Sequence, residues 1–275
     1  YNNNTNIDIL FMGSSHTYTG INPNVLDDLI GLESFILGSA SQNIIQTYFN
    51  LVEVLKYKNP KLIIIGLNSI ITNKEKTKLG YYYENLDGMK LTINKYQSIK
   101  NTLDSKYYVE AFLPLAREHF NWKDLKDINT KYLRTHFKNE AYTNKGHNAL
   151  EPIFTQNDFL ESIKKRKEND KSYLVNNENL DYLQKISFLC RKNDIQLLVF
   201  KTPTLREIDL NTNLDILLND YSKEGNFDYL NLGHFFTKLK LNYLDFYDSG
   251  HLSKEGAKKV TKYLAHFLTK NYSEI

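Results

Sequence analysis

Cysteine is almost missing. Cys190 is the one cysteine in 275 residues, which excludes an intramolecular disulfide framework and a multi-cysteine zinc site. It leaves the cellular compartment open. Proline and glycine are sparse, at 5 and 12 residues, so collagen-like and low-complexity chains are excluded. No stretch approaches the ~20 apolar residues that a transmembrane helix needs, and no signal peptide is visible. Charge of one sign is not in excess either. The 35 basic and 32 acidic residues leave a net charge of +3, without the clustered basic bias of a nucleic-acid binder. The one dense basic run, Lys164-Lys165-Arg166-Lys167, lies beside Glu161, Glu168 and Asp170 and reads as a solvated helix face. His119, His136 and His147 are scattered without metal-ligand spacing, so no metal is expected. No glycine-rich phosphate loop is present, so no nucleotide cofactor is expected.

What remains is an ordinary folded composition, 41% hydrophobic and 24% charged, in a chain long enough for one large α/β domain. Residues 7–12 form an apolar run that ends in Gly13-Ser14-Ser15-His16. Asn22-Pro23 marks a helix start, with Asn as N-cap and Pro at the first helical position. Residues 34–37 read as a strand ending at Gly38, and residues 42–57 as an amphipathic helix stopped by Asn59-Pro60. Residues 61–65 are continuous and rich in β-branched side chains. They suit a central parallel strand covered on both faces, and they end at Gly66-Leu67-Asn68.

Regularity then breaks. Residues 70–175 are polar and aromatic, with helical pieces expected over 101–117 and 158–170, and they read as an insertion or cap. The α/β rhythm returns with a helix over 180–192, a strand over 196–200, a helix over 214–221 and a weaker strand over 227–232. A last helix follows over 254–270, with Ser253 as N-cap. Such alternation predicts a parallel sheet with right-handed crossovers, whose active site lies at the carboxyl ends of the strands.

Those ends carry the residues of interest. Ser15 follows the first strand in a tight turn that Gly13 permits. Its hydroxyl is a weak nucleophile until a base takes its proton. His251 is the candidate base, in Asp248-Ser249-Gly250-His251. A carboxylate can fix the imidazole tautomer and stabilise the imidazolium. Asp248 has the better spacing for this, with Asp245 as the alternative. Asn68 follows the strongest strand and can donate to a developing oxyanion. The backbone N–H groups of Gly38 and Ser15 are further donors for it. Taken singly, each is an ordinary turn or cap residue. Together they occupy mutually consistent strand ends.

On Gly13-Ser14-Ser15, Gly38, Gly66-Leu67-Asn68 and Asp248-x-x-His251, the sequence resembles the SGNH (GDSL-like) hydrolase superfamily. The order and spacing fit its four blocks, with Ser39 or Ser41 as alternatives to Gly38. Adjacent Asp and His also argue against the ordinary α/β-hydrolase fold. Ser14 stands where the usual motif has Asp, and Ser69 follows Asn68 where Asp is usual. These variants look more like the cell-envelope branch, which includes alginate and peptidoglycan O-acetyltransferases and the lipoteichoic-acid D-alanylation protein. The Gly-Ser-Ser-His-Thr-Tyr opening resembles Gram-positive surface members.

The resemblance implies a flavodoxin-like three-layer α/β/α domain spanning 1–275, with the insertion at about 70–175. It implies acyl transfer through Ser15, with His251 as base, Asp248 orienting it, and Ser15, Gly38 and Asn68 holding the oxyanion. The implied partners are an acyl donor, a glycan acceptor and a membrane-bound O-acyltransferase, with no nucleic acid. An extracytoplasmic protein tethered by a membrane helix upstream of Tyr1 is expected. Hydrolysis of the same ester is the first rival reading, and a non-catalytic glycan-binding or scaffold protein the second. His16, Arg117 and Trp122 are candidate substrate contacts. Packing is an equal expectation for His16 and the stronger one for Arg117 and Trp122. Cys190 reads as a core residue.

Overall fold

The computed structural model describes residues 6–67, 78–119, 144–167, 176–208 and 212–272. Five parallel strands form one sheet in the order β2-β1-β3-β4-β5. They are β1 (Ile9–Gly13), β2 (Ser34–Gly38), β3 (Leu62–Gly66), β4 (Gln196–Lys201) and β5 (Asp228–Asn231). Every residue of β1 and β3 is buried, which explains their unbroken apolar sequence: a central parallel strand has no face to give to water.

Helices cover both faces, giving a three-layer α/β/α architecture. On one face, α1 (Ser15–Gly20), α2 (Pro23–Ile30) and the last helix pack over Ile9, Phe11, Ile64 and Phe200. On the other, α3 (Ile44–Val54) and its neighbours pack over Leu10, Met12, Ile63, Ile65 and Val199. The helix starts follow from their caps. The Asn22 side chain accepts from Val25 N–H with Pro23 at N1, and Gly31 closes α2 in the left-handed region at φ 72°. Asn43 and Gln46 form a capping box at the head of α3.

The described part of 70–175 is helical but cut differently from the expected 101–117 helix. It forms α4 (Leu79–Asp87), α5 (Ile93–Thr102), a single 3-10 turn at Ser105–Tyr107, α6 (Tyr108–Phe112) and α7 (Pro114–His119). The break before α7 has a steric cause: Pro114 disfavours helical geometry at the residue before it, and Leu113 is extended. These helices share the core. Tyr83, Leu86, Met89, Ile99 and Ala111 lie in one cluster with the strand residues of that face. Residues 144–151 return to the opposite side. There Ile36 N–H donates to Lys145 O, Asn148 N–H to Tyr18 O, and Lys254 N–H to Leu150 O. Next come α8 (Gln156–Lys167), on which Lys165 is exposed and paired with Glu161, then α9 (Asn177–Lys192) and α10 (Asn213–Gly225). The last helix is α11 (Lys254–Asn271), capped by Ser253. Cys190 is buried in the core.

The strand order reverses direction between β1 and β3, and such a switch point opens a crevice at the carboxyl end of the sheet. Gly13 pairs with Gly38 across β1 and β2 at that end.

Candidate active site

Two glycines make room for the start of α1. Gly13 has φ +146°, and a Cβ there would lie 2.5 Å from Thr17 Oγ1. At Gly66, the end of β3, a Cβ would come within 2.0 Å of the same atom. Thr17 therefore sits directly against the ends of β1 and β3. The chain turns from strand to helix within one residue, and Ser15 becomes the first helical residue. The sequence signals its first helix only at Asn22-Pro23, the start of α2. The earlier six-residue helix gives no such signal because Ser-His-Thr-Tyr-Thr-Gly carries poor helix formers.

The other half of the site comes from the loop before α11. Phe246 and Leu252 bridge to each other and are both buried, anchoring the two ends of that loop in the core. Asp248 Oδ1 accepts the backbone N–H groups of Gly250 at 2.7 Å and His251 at 2.8 Å. The same carboxylate faces His251 Nδ1, at 2.9 Å from Oδ2 and 3.1 Å from Oδ1. A carboxylate only accepts, so Nδ1 carries the proton and Nε2 presents a lone pair. That lone pair lies 2.8 Å from Ser15 Oγ.

The electrostatics follow from these contacts. Burial acts to raise the Asp248 carboxyl, but the hydrogen bonds from His251 and the Gly250 N–H hold it down at about 2. It therefore stays a carboxylate beside the imidazole. The side chains of His251 and Asp248 keep 28% and 45% exposure, so the site opens to solvent.

His16 lies in the site. Its ring stacks on that of His251, with centroids 4.8 Å apart and planes at 23°. Ser14 Oγ lies 3.4 Å from His16 Nδ1. Burial and the facing His251 push the His16 imidazole down to about 4; Asp248 opposes this and Arg206 adds to it.

The alternative carboxylate is committed elsewhere. Asp245 is buried, lies 2.7 Å from Lys259 Nζ and accepts the Asn242 N–H at 2.7 Å. Of the residues proposed for the second block, Ser39 donates its N–H to Gln42 Oε1 at 3.1 Å and accepts from Asn85 at 3.1 Å. Ser41 adopts φ 52° in the turn. Gly38 stays at the sheet edge, where a Cβ would come within 2.6 Å of Gly13 O. Asn68, Ser69 and Trp122 lie outside the described residues.

Arg117 is not brought to the site. Its guanidinium forks onto Asp87 at 2.6 and 3.3 Å and lies 4.6 Å over the Tyr83 ring. It ties α7 to α4 within the 70–175 segment, because a planar fork finds its best partner in a nearby carboxylate. His147 is likewise structural: it is buried and donates from Nδ1 to Tyr18 O at 2.8 Å.

One site-edge residue had no sequence signal. Arg206 is exposed on the loop after β4, and its guanidinium donates to Ser249 Oγ at 3.3 Å. That loop is held by Leu205 N–H on Ser249 O at 2.9 Å, and by buried Lys201, which pairs with Glu207 at 2.6 Å. A lone arginine after Thr-Pro-Thr-Leu carries no motif, so only the fold reveals it. Among the described residues, no group of three His, Cys, Asp or Glu side chains converges to hold a metal ion.

No protein-family model matches this chain, and no curated protein matches it. A crystal structure from Bacteroides fragilis, of a protein called a "putative acylhydrolase", is similar at 11% identity and a TM-score of 0.40. The match covers 97% of this chain and 90% of that one. The fold and the site described above stand on their own geometry.

Proposed function

We propose that the protein is a serine acyl-transfer enzyme. The observation that carries this reading is the chain of contacts from Ser15 Oγ to His251 Nε2 to the Asp248 carboxylate. In the first step Ser15 Oγ bonds to the acyl carbon of an ester while its proton passes to His251 Nε2. The carbonyl oxygen takes the electron pair. Collapse of this tetrahedral species expels the alcohol, which leaves with the proton from His251. An acyl-Ser15 ester remains. An incoming hydroxyl then gives its proton to His251 and bonds to the acyl carbon, and collapse of this second tetrahedral species releases Ser15, whose Oγ takes the proton back from His251. Asp248 holds the imidazole in the competent tautomer and offsets the imidazolium charge. The N–H groups of Ser15 and Gly38 and the side chain of Asn68 are the proposed donors to the oxyanion.

The finer part of the proposal rests on the likeness carried by Ser14 and Ser69. The acyl group is acetyl or similarly small, and the acceptor is a hydroxyl of a cell-surface polysaccharide. The protein works outside the cytoplasm beside a membrane-bound partner that supplies the acyl group. Among the described residues no helix is long and apolar enough to cross a membrane. Hydrolysis is the competing reading, favoured by the exposure of His251 and Asp248. Transfer needs water kept from the acyl-enzyme.

Intact mass after mixing with a chromogenic acetyl ester tests the proposal. One acetyl group on the wild type, absent from Ser15→Ala, is expected. Survival of that adduct until a glycan is added supports transfer, and rapid loss in buffer supports hydrolysis. No adduct and no turnover would return the fold to a binding role.

A further inference from the structure

We propose that His16 is a positioning residue for the base. Its neutral ring, stacked on His251, holds the imidazole plane and stabilises the imidazolium formed when Ser15 gives up its proton. The inference rests on the serine acyl-transfer reading of the site.

The geometry separates three contacts to His251. Asp248 meets the Nδ1 edge, Ser15 meets the Nε2 edge, and His16 covers a ring face. Edge contacts fix where the protons are. They leave the ring able to rock about the axis joining the two nitrogens. A ring stacked at 4.8 Å, with its plane tilted by 23°, restricts that motion. An aromatic face also attracts a cation placed over it. In the resting site the His16 ring is neutral. When the Ser15 proton reaches Nε2, the positive charge appears under the His16 face.

For this to work His16 must stay uncharged, and its surroundings favour that. From the loop before α11 it faces His251 and Asp248, and from the loop after β4 it faces Arg206. The Arg206 charge and the incipient His251 charge both oppose a proton on His16, and burial opposes it further. Asp248 pulls the other way but is engaged by His251 and the Gly250 N–H. Ser14 Oγ, from the β1–α1 turn, sits within reach of His16 Nδ1 and sets the ring orientation. The fit extends to the loop: a Cβ on Gly250 would lie 3.6 Å from His16 Nε2 and 3.5 Å from Asp248 Oδ1.

The test uses a fluorophosphonate probe, which needs no knowledge of the substrate. Ser15 Oγ displaces fluoride from phosphorus, and the serine proton passes to His251. The labelling rate is measured against pH for wild type, His16→Ala, His16→Gln and His16→Phe, with Ser15→Ala as control. We expect Ala and Gln to label about 3- to 10-fold more slowly at the plateau, with the acid limb moved to lower pH. Gln fills the space without a ring, so it separates stacking from packing. Phe restores a ring face and keeps both rate and limb near wild type. If Ala and Gln label at the wild-type rate with the limb unmoved, the inference is overturned. A slower rate with an unmoved limb and no rescue by Phe also overturns it, because that pattern reports a packing role. Unlabelled wild type, or labelling that survives Ser15→Ala, fells the acyl-transfer reading itself and the inference with it.

Discussion

Ser15 Oγ and His251 Nε2 stand 2.8 Å apart although 236 positions separate them in the chain. Neither partner is carried on a flexible arm. Ser15 is the first residue of a helix wedged against two strand ends, and His251 sits in a loop closed by the Phe246–Leu252 bridge. Proximity of this kind is tertiary: Ser15 follows the end of β1, and the His251 loop is tied to the loop after β4 by Leu205 N–H on Ser249 O. If the pair acts as nucleophile and base, Ser15→Ala and His251→Ala each lower ester turnover by at least ~10³-fold, and the double variant is little worse than either. Steady-state kinetics beside circular dichroism check this. Additive losses would mean that the two residues do not act as a unit.

The two carboxylates of the same loop separate by role. Asp248→Asn keeps an oxygen for the Gly250 and His251 N–H groups but no longer holds Nδ1–H in place. Turnover is expected to fall by about 10²- to 10⁴-fold with folding intact. Asp245→Asn replaces a buried carboxylate by a neutral amide and removes the ion pair with the partly exposed Lys259. Its expected effect is a loss of about 1–3 kcal/mol of stability, with turnover per folded molecule preserved. Urea unfolding and kcat/KM on both variants distinguish the cases. The reverse pattern would make Asp245 the orienting group.

Much of this was legible in the sequence, and the parts that were not share a cause. The strands were readable because burial on both faces leaves an uninterrupted apolar run at 62–65. Asn22-Pro23 and Ser253 marked helix starts because a cap is a local hydrogen bond. The three-residue spacing of Asp248 and His251 singled out one carboxylate over Asp245 because one backbone turn carries both contacts. The α1 helix was not readable. Its residues have weak helix propensity, and its start is fixed by Thr17 packing on Gly13 and Gly66 from distant strands. The same holds for the His16 stack, the Arg206–Ser249 contact and the Arg117–Asp87 pair: each depends on a neighbour that tertiary structure supplies. The break at Leu113 was available in principle, since Pro114 announces it, but helical patterning over 101–117 masked it.

Stability should fall as the medium is acidified, and His16 contributes a defined part. Its imidazole is held down to about 4 in the fold, against an ordinary 6.5. A histidine with a lowered value is stabilising above 6.5, where both folded and unfolded states leave it neutral. Between 6.5 and about 4 the unfolded chain takes up the proton and the fold does not, so stability drops as pH falls. The full difference corresponds to at most about 3 kcal/mol. Asp248 contributes with the same sign in a lower window. Its carboxyl is held at about 2, so its contribution is present above about 3.8 and disappears as pH falls towards 2. Half-exposed, it adds little. Tm measured from pH 7 to 4 should decline for wild type and decline less for His16→Phe, which has no proton to take. Equal slopes would show that His16 keeps its ordinary affinity for protons in the fold.

The placement of Ser15 depends on a contact that can be broken and restored. Gly66 has ordinary backbone geometry, but a methyl group there lies 2.0 Å from Thr17 Oγ1 and 3.3 Å from Thr17 Cβ. Gly66→Ala must therefore push Thr17, and with it the first turn of α1 that carries Ser15. Overpacking of this kind costs about 1–3 kcal/mol, and displacing the nucleophile by a fraction of an ångström adds a loss of turnover. Thr17→Ala removes the Oγ1 atom and leaves only the 3.3 Å contact, which a small shift relieves. The double variant Gly66→Ala/Thr17→Ala should then recover both stability and activity relative to Gly66→Ala alone. Gly31→Ala is the control: a Cβ there meets nothing within 4 Å, so only the strain of φ +72° remains, worth about 1 kcal/mol. It lies in the turn after α2 and should leave turnover untouched. A thermodynamic cycle on Tm together with kcat/KM for the four Gly66 and Thr17 forms gives the coupling directly. Zero coupling would mean that α1 is seated by something other than the Gly13–Thr17–Gly66 contact, and Gly13 would lose its role in presenting Ser15.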